Sequence, residues 1–201
     1  MKKFLLPVVV LALLSFTVSD MKLTKSERKM AATEMKNSCD LLLKAVKGLS
    51  NEQLNFKSTT DSWSVAECVE HIAISETLIF DMLKKTMETP AEPSKSAEGR
   101  VSDEQLLAMI TDRTNKVKTQ EPFEPTGKYG TYEATLKEFK AKRAAHIKYV
   151  KSTDDDLRHH YKEMPFGTID GLQILLFMSG HTERHVKQIE EIKAHANFPA
   201  K

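Results

Sequence analysis

Residues 169–196 read IDGLQILLFMSGHTERHVKQIEEIKAHA, and this stretch decides the fold. Ile174, Met178, His181, His185, Ile189 and Ile192 recur at steps of 4, 3, 4, 4 and 3. That period places all six on one face of a helix running roughly from Ile169 to Ala196, with Thr168 as its predicted cap. Four of the six are core residues by type. Two imidazoles therefore interrupt a stripe that faces the interior, and a fold built on this helix has to accommodate them there.

The other long segments carry the same period. LTKSERKMAATEMKNSCDLLLKAVKG opens with Thr24 and Glu27 at capping-box spacing and closes on Gly48, a start and stop signal for a helix. A second helix starts at Ser64, with Glu67 three residues on. Trp63 before the cap reads as packing, a hydrophobic staple against Cys68. Val65, Cys68, Val69, Ile72, Ile79 and Leu83 form its buried stripe, and His71 lies at the edge of it. METPAEPSKSAEGR is an exposed loop by its Pro, Ser and charge content.

The third segment is broken. SDEQLLAMITDRTNKVKT is predicted helical from a Ser102–Gln105 capping box, QEPFEPTGKYG interrupts it, and TYEATLKEFKAKRAAHIKYVKS resumes with Leu136, Phe139, Ala144, Ile147 and Val150 as expected core. The polar stretch TDDDLRHHYKE and the turn MPFG lead into the last helix. No strand-like alternation or internal repeat is evident. The expected class is all-α, a four-helix bundle with a broken third segment.

At 201 residues the chain is long enough for one domain with a real core. MKK, then FLLPVVVLALLSF, then small residues, read as a signal peptide over residues 1–19, leaving 20–201 as a single domain. The predicted location is periplasmic or extracellular, with no stable membrane insertion after cleavage. The alternative is an uncleaved N-terminal anchor. Losing residues 1–19 removes Lys2 and Lys3 and no acid, so the formal charge falls from +2 to zero. A neutral chain with solvated charges of alternating sign offers no basic patch for nucleic acid. An oxidising compartment would permit a bridge between Cys39 and Cys68, and their pairing stays open.

A H-x3-H pair puts two rings one turn apart on one helix face, where they can share a metal. His71, on another helix at the core edge, is the best third ligand for His181 and His185. Three histidines leave a coordination position open for a small-molecule substrate or water, as catalytic sites do. Neutral imidazole accepts zinc, nickel, iron and copper. The competing reading makes each histidine a hydrogen-bonded core residue. The zinc-protease pattern H-E-x-x-H is absent: Thr182 follows His181, and Glu183 lies on the other side of the helix. Glu67, one turn before His71, could orient its ring, although the capping box explains it more cheaply. His160 could serve as acid or base if its loop folds over the bundle end. His146 and His195 read as helix-surface residues, and Arg143 and Arg184 as solvated cations.

WSVAECVEHIAISE, YEATLKEFKAKRAAH and MPFGTIDGLQILLFMSGHTERHVKQI, in this order, resemble the DinB/YfiT-like superfamily over roughly Ser26 to His195. The resemblance implies an up-down four-helix bundle with a metal on His71, His181 and His185. It also implies a divalent transition metal, zinc or nickel first and iron next, with hydrolase or thiol-dependent transferase chemistry on a small molecule. The alternative is a non-catalytic metal-binding bundle. Many members are dimers, which leaves a homodimer open. The thiol cofactors of the transferases are cytoplasmic, whereas this leader reads as an export signal.

Overall fold

The computed structural model describes residues 22–95 and 100–200, so the predicted export signal lies outside the described residues. Helices α1 (Lys25–Ala45), α2 (Asn51–Asn55), α3 (Val65–Met87) and α4 (Asp103–Thr111) are followed by a 3-10 turn at Glu121–Phe123. Then come α5 (Tyr132–Ser152), the strands β1 (Tyr161–Met164) and β2 (Gly167–Asp170), and α6 (Gly171–Lys193). The expected capping boxes at Thr24, Ser64 and Ser102 all form. A further one at Ser50 starts the short α2.

The four long helices make the bundle. Pairings along them fix their directions. Arg28 reaches the Val150 carbonyl and Lys193 the Ala45 carbonyl. Glu76 of α3 meets Arg143 and His146 of α5, and Phe80 further along stacks on His146 and Tyr149. Helices α1 and α6 therefore run one way, and α3 and α5 the other. The broken third segment makes this possible, because it carries the chain back along the bundle between two parallel helices. On its way α4 lies along α6 so closely that a Cβ at Gly180 would sit 3.2 Å from Ile110 Cγ2.

Two apolar clusters fill the interior. One joins Met35, Leu83, Val150 and Leu172, and the other Leu42, Val69, Phe139 and Ile189. Between them lies a polar layer made by Ser38, Glu76, Arg143 and Thr182, all buried.

Several expectations are corrected. The last helix is capped by Asp170, whose side chain accepts from the Gln173 amide, and not by Thr168. Thr168 instead sits in β2, its hydroxyl on Glu163 across the hairpin. Four-residue strands are too short to show alternation, so the sequence carries no signal for this hairpin. Its turn ends at Gly167, whose φ of +127 few other residues adopt. The helix expected over residues 102–119 stops at Thr111, because the Asp112 carboxylate turns back onto the Thr114 amide and hydroxyl. On α5 the buried positions are Thr135, Phe139, Arg143, His146 and Val150, while Ala144 is exposed. Arg143 and His146 are thus interior residues, not a solvated cation and a surface imidazole. Cys39 and Cys68 are both free thiols, and burial pushes the Cys68 thiol up to about 12. Among the described residues, no helix is long and apolar enough to cross a membrane.

Candidate metal centre

The capping box at Ser64 fixes where α3 begins, and His71 follows two turns later on its inner side, 3% exposed. On α6 the i, i+4 spacing stacks His181 over His185. The two helices pack antiparallel, and the three rings meet. His71 Nε2 lies 3.1 Å from His181 Nε2 and 3.0 Å from His185 Nε2. Among the described residues this is the one cluster of three or more side chains spaced to share a metal ion.

The far side of each ring decides what the near side can do. His71 Nδ1 is 2.7 Å from the Phe123 carbonyl oxygen. A carbonyl only accepts, so Nδ1 carries the proton and Nε2 presents a lone pair toward the other two rings. His185 Nδ1 faces Gln188 Oε1 at 2.9 Å. Trp63 covers the cluster on one side, its ring 4.8 Å from that of His71 and 6.2 Å from that of His185. Phe177 flanks His181 at 6.0 Å.

Burial keeps these imidazoles neutral. Desolvation and the charge of neighbouring imidazoles, were they protonated, push His181 well below the usual histidine range and His185 down to about 3. Desolvation lowers His71 too, against the opposing pull of the Phe123 carbonyl. Three neutral nitrogens in a largely dry setting suit a divalent transition metal. Bonds of about 2.0–2.1 Å put neighbouring nitrogens on one ion about 3.0–3.4 Å apart, close to the separations found.

The other candidates fall elsewhere. Glu67 accepts from the Ser64 amide at 2.7 Å and pairs with Lys57 at 2.7 Å. It is a capping residue, and His71 takes the Phe123 carbonyl in its place. His160 does not come to the cluster: its carbonyl accepts from Gly171 at the start of α6, about 15 Å of helix away from His181. His159 binds Asp156. Arg184 donates to the Ile110, Asp112 and Asn115 carbonyls and so holds the end of α4.

Sequence reasoning missed the polar layer beside the histidines. Arg143 grips Glu76 with Nε and Nη2 at 2.8 and 2.6 Å, and its remaining donors reach the Met35 carbonyl, Ser38 Oγ and Thr182 Oγ1. His146 Nδ1 adds a contact to Glu76 at 2.8 Å. Burial alone would raise the Glu76 carboxyl, but Arg143 and His146 outweigh it and hold the group below its ordinary value. The available signal was the three-residue step from Arg143 to His146, in phase with Phe139 and Val150.

Comparisons with known proteins agree with this architecture. The model of the DinB superfamily matches residues 34–189. YuaE of Bacillus subtilis (strain 168) is 27% identical over 149 residues, which cover 74% of this chain and 88% of YuaE. The solved structure of YfiT from Bacillus subtilis covers 85% of this chain and 88% of its own at a TM-score of 0.50 and 17% identity. YfiT is described as a probable metal-dependent hydrolase with an unusual four-helix bundle topology. At that identity the likeness is one of fold.

Proposed function

The chain belongs to the DinB superfamily, and from that premise we propose that it is a metal-dependent hydrolase of a small molecule, with His71, His181 and His185 as the ligands. The observation that carries the reading is the convergence of three Nε2 atoms, at 3.0 and 3.1 Å from His71, in surroundings that disfavour protonation. With His71 and His185 each protonated on Nδ1, their Nε2 lone pairs face one another at 3.0 Å, an arrangement that a shared cation relieves. A divalent transition metal there, zinc or nickel before iron, supplies the Lewis acidity by which such sites generate a nucleophile at neutral pH.

The chain's own residues supply the rest. The Phe123 carbonyl holds His71 in the tautomer that leaves Nε2 free. Trp63 and Phe177 exclude water from two sides of the cluster. The nearby buried carboxylate Glu76 is committed to Arg143 and His146 and is not available as a base. Hydrolysis is preferred to thiol transfer because residues 1–19 read as an export leader, and the thiol cofactors such transferases use are cytoplasmic. The YfiT description supports the same choice.

The test is elemental analysis of the untagged protein beside His181→Ala. One transition metal per chain, lost in the variant, supports the centre, and a panel of small esters and amides then tests hydrolysis. Metal in both samples or in neither refutes the ligand set. Bound metal without turnover of any ester or amide would favour a binding role. N-terminal sequencing of the secreted protein tests cleavage after residue 19.

A further inference from the structure

We propose that Gln188 is a positioning residue that fixes the tautomer of His185, and that Arg113, reaching in from the crossover, sets the orientation of Gln188. The effect on metal affinity rests on the metal reading above; the tautomer assignment does not.

The contacts form a chain. His185 Nδ1 lies 2.9 Å from Gln188 Oε1, one turn along α6. Arg113 Nη1 approaches the same oxygen at 3.4 Å. The guanidinium is itself anchored on Glu191, another turn on, with Nε and Nη2 at 2.8 and 2.9 Å from the two carboxylate oxygens. A guanidinium has donors only. The end of the Gln188 amide that faces Arg113 must therefore be its oxygen, because the reversed amide would set one donor against another. That oxygen can only accept, so His185 must present Nδ1–H to it. His185 Nε2 is then left with its lone pair toward His71 and His181.

An acceptor held at Nδ1 supports the basicity of Nε2, the way outer partners of metal-bound histidines act. The arrangement on α6 matches that on α3, where Phe123 takes the Nδ1 proton of His71. Both outer contacts depend on the crossover between α3 and α5: Phe123 is part of it, and Arg113 extends from it. The bundle supplies the rings, and the crossover fixes which nitrogen of each faces inward.

The experiment compares wild type, Gln188→Leu, Gln188→Glu and His185→Ala. Zinc affinity is measured by competition with a chromophoric chelator, and the His185 ring tautomer by 15N spectra of the metal-free proteins. Gln188→Leu is expected to lose about 10- to 100-fold in zinc affinity and to shift His185 away from the Nδ1–H form. Gln188→Glu, which keeps an acceptor for both His185 and Arg113, is expected to restore both readouts. Wild-type affinity together with an unchanged tautomer in Gln188→Leu would overturn the proposal. If His185→Ala binds zinc as tightly as wild type, the metal reading fails, and the tautomer comparison still decides the role of Gln188. Should Gln188→Leu not fold, Arg113→Met tests the chain from its far end. A several-fold loss of affinity supports the assignment, and no change overturns it.

Discussion

Arg143 and Glu76 form a two-pronged ion pair in the middle of the bundle, with side chains 1% and 0% exposed. All four long helices contribute to its surroundings, through Met35 and Ser38, Glu76, Arg143 and Thr182. Removing one member of such a pair strands a buried charge, at a cost of about 3–5 kcal/mol. Arg143→Met should lower the denaturant midpoint accordingly, and adding Glu76→Gln should recover part of the loss. Urea titrations of the single and double variants check this; a single variant as stable as wild type would refute it.

A ligand that binds only the folded state raises its stability. With zinc free at 100 times its dissociation constant, the gain is about 2.7 kcal/mol. The thermal midpoint of the metal-free protein should therefore rise on adding zinc and fall again with a chelator. In His71→Ala, His181→Ala or His185→Ala the increment should vanish while the helical circular dichroism persists.

The metal-free protein should lose stability as the pH falls below about 6.5. The sign follows from the lowered folded-state pKa values of His71, His181 and His185. Below the ordinary histidine value the unfolded chain takes up protons that the folded chain refuses. Each fully refused proton costs about 1.4 kcal/mol per pH unit. For His185 the loss continues down to about 3. Glu76, held below its ordinary value, adds a further loss only under about pH 4.5. Unfolding midpoints measured from pH 8 to 4 test this, and His185→Ala should flatten the upper part of the curve.

Trp63 is the only tryptophan in the chain, and it lies against two of the three imidazoles. Its emission should respond to zinc, with the response absent in His71→Ala. Trp63→Ala should cost about 1.5–3 kcal/mol of stability, the value of burying a large apolar side chain. It should also weaken zinc binding, because the His71 ring loses the wall that holds it. A zinc affinity untouched in Trp63→Ala would restrict the residue to packing.

The bundle was legible because its helices carry the 3.6-residue period over long runs and begin with capping boxes at Thr24, Ser64 and Ser102. His181 and His185 were legible because they occupy stripe positions, and His71 because it borders one. What holds their outer nitrogens was not. Phe123 contributes a backbone carbonyl, which no side-chain pattern encodes, and it reaches His71 from 52 residues away. The interior positions of Arg143 and His146 were not legible for a different reason. Charged residues are placed outside by default, and only the meeting of four helices around Glu76 makes an arginine stable within. The hairpin at Tyr161–Asp170 fell below the length at which alternation can be seen.

His71 is separated from His181 and His185 by 110 and 114 residues of chain. During synthesis, therefore, no three-nitrogen site exists until the last long helix has been made and has docked. An ion held by all three nitrogens would therefore not template the earlier part of the fold; it would be completely held only once the last helix has docked. Loading is consequently a late event, and the ion acquired is one available where folding finishes. Three imidazoles alone discriminate poorly among zinc, nickel and iron. The metal found in protein taken from its native compartment would thus record where the chain completed its fold, as much as what the site prefers.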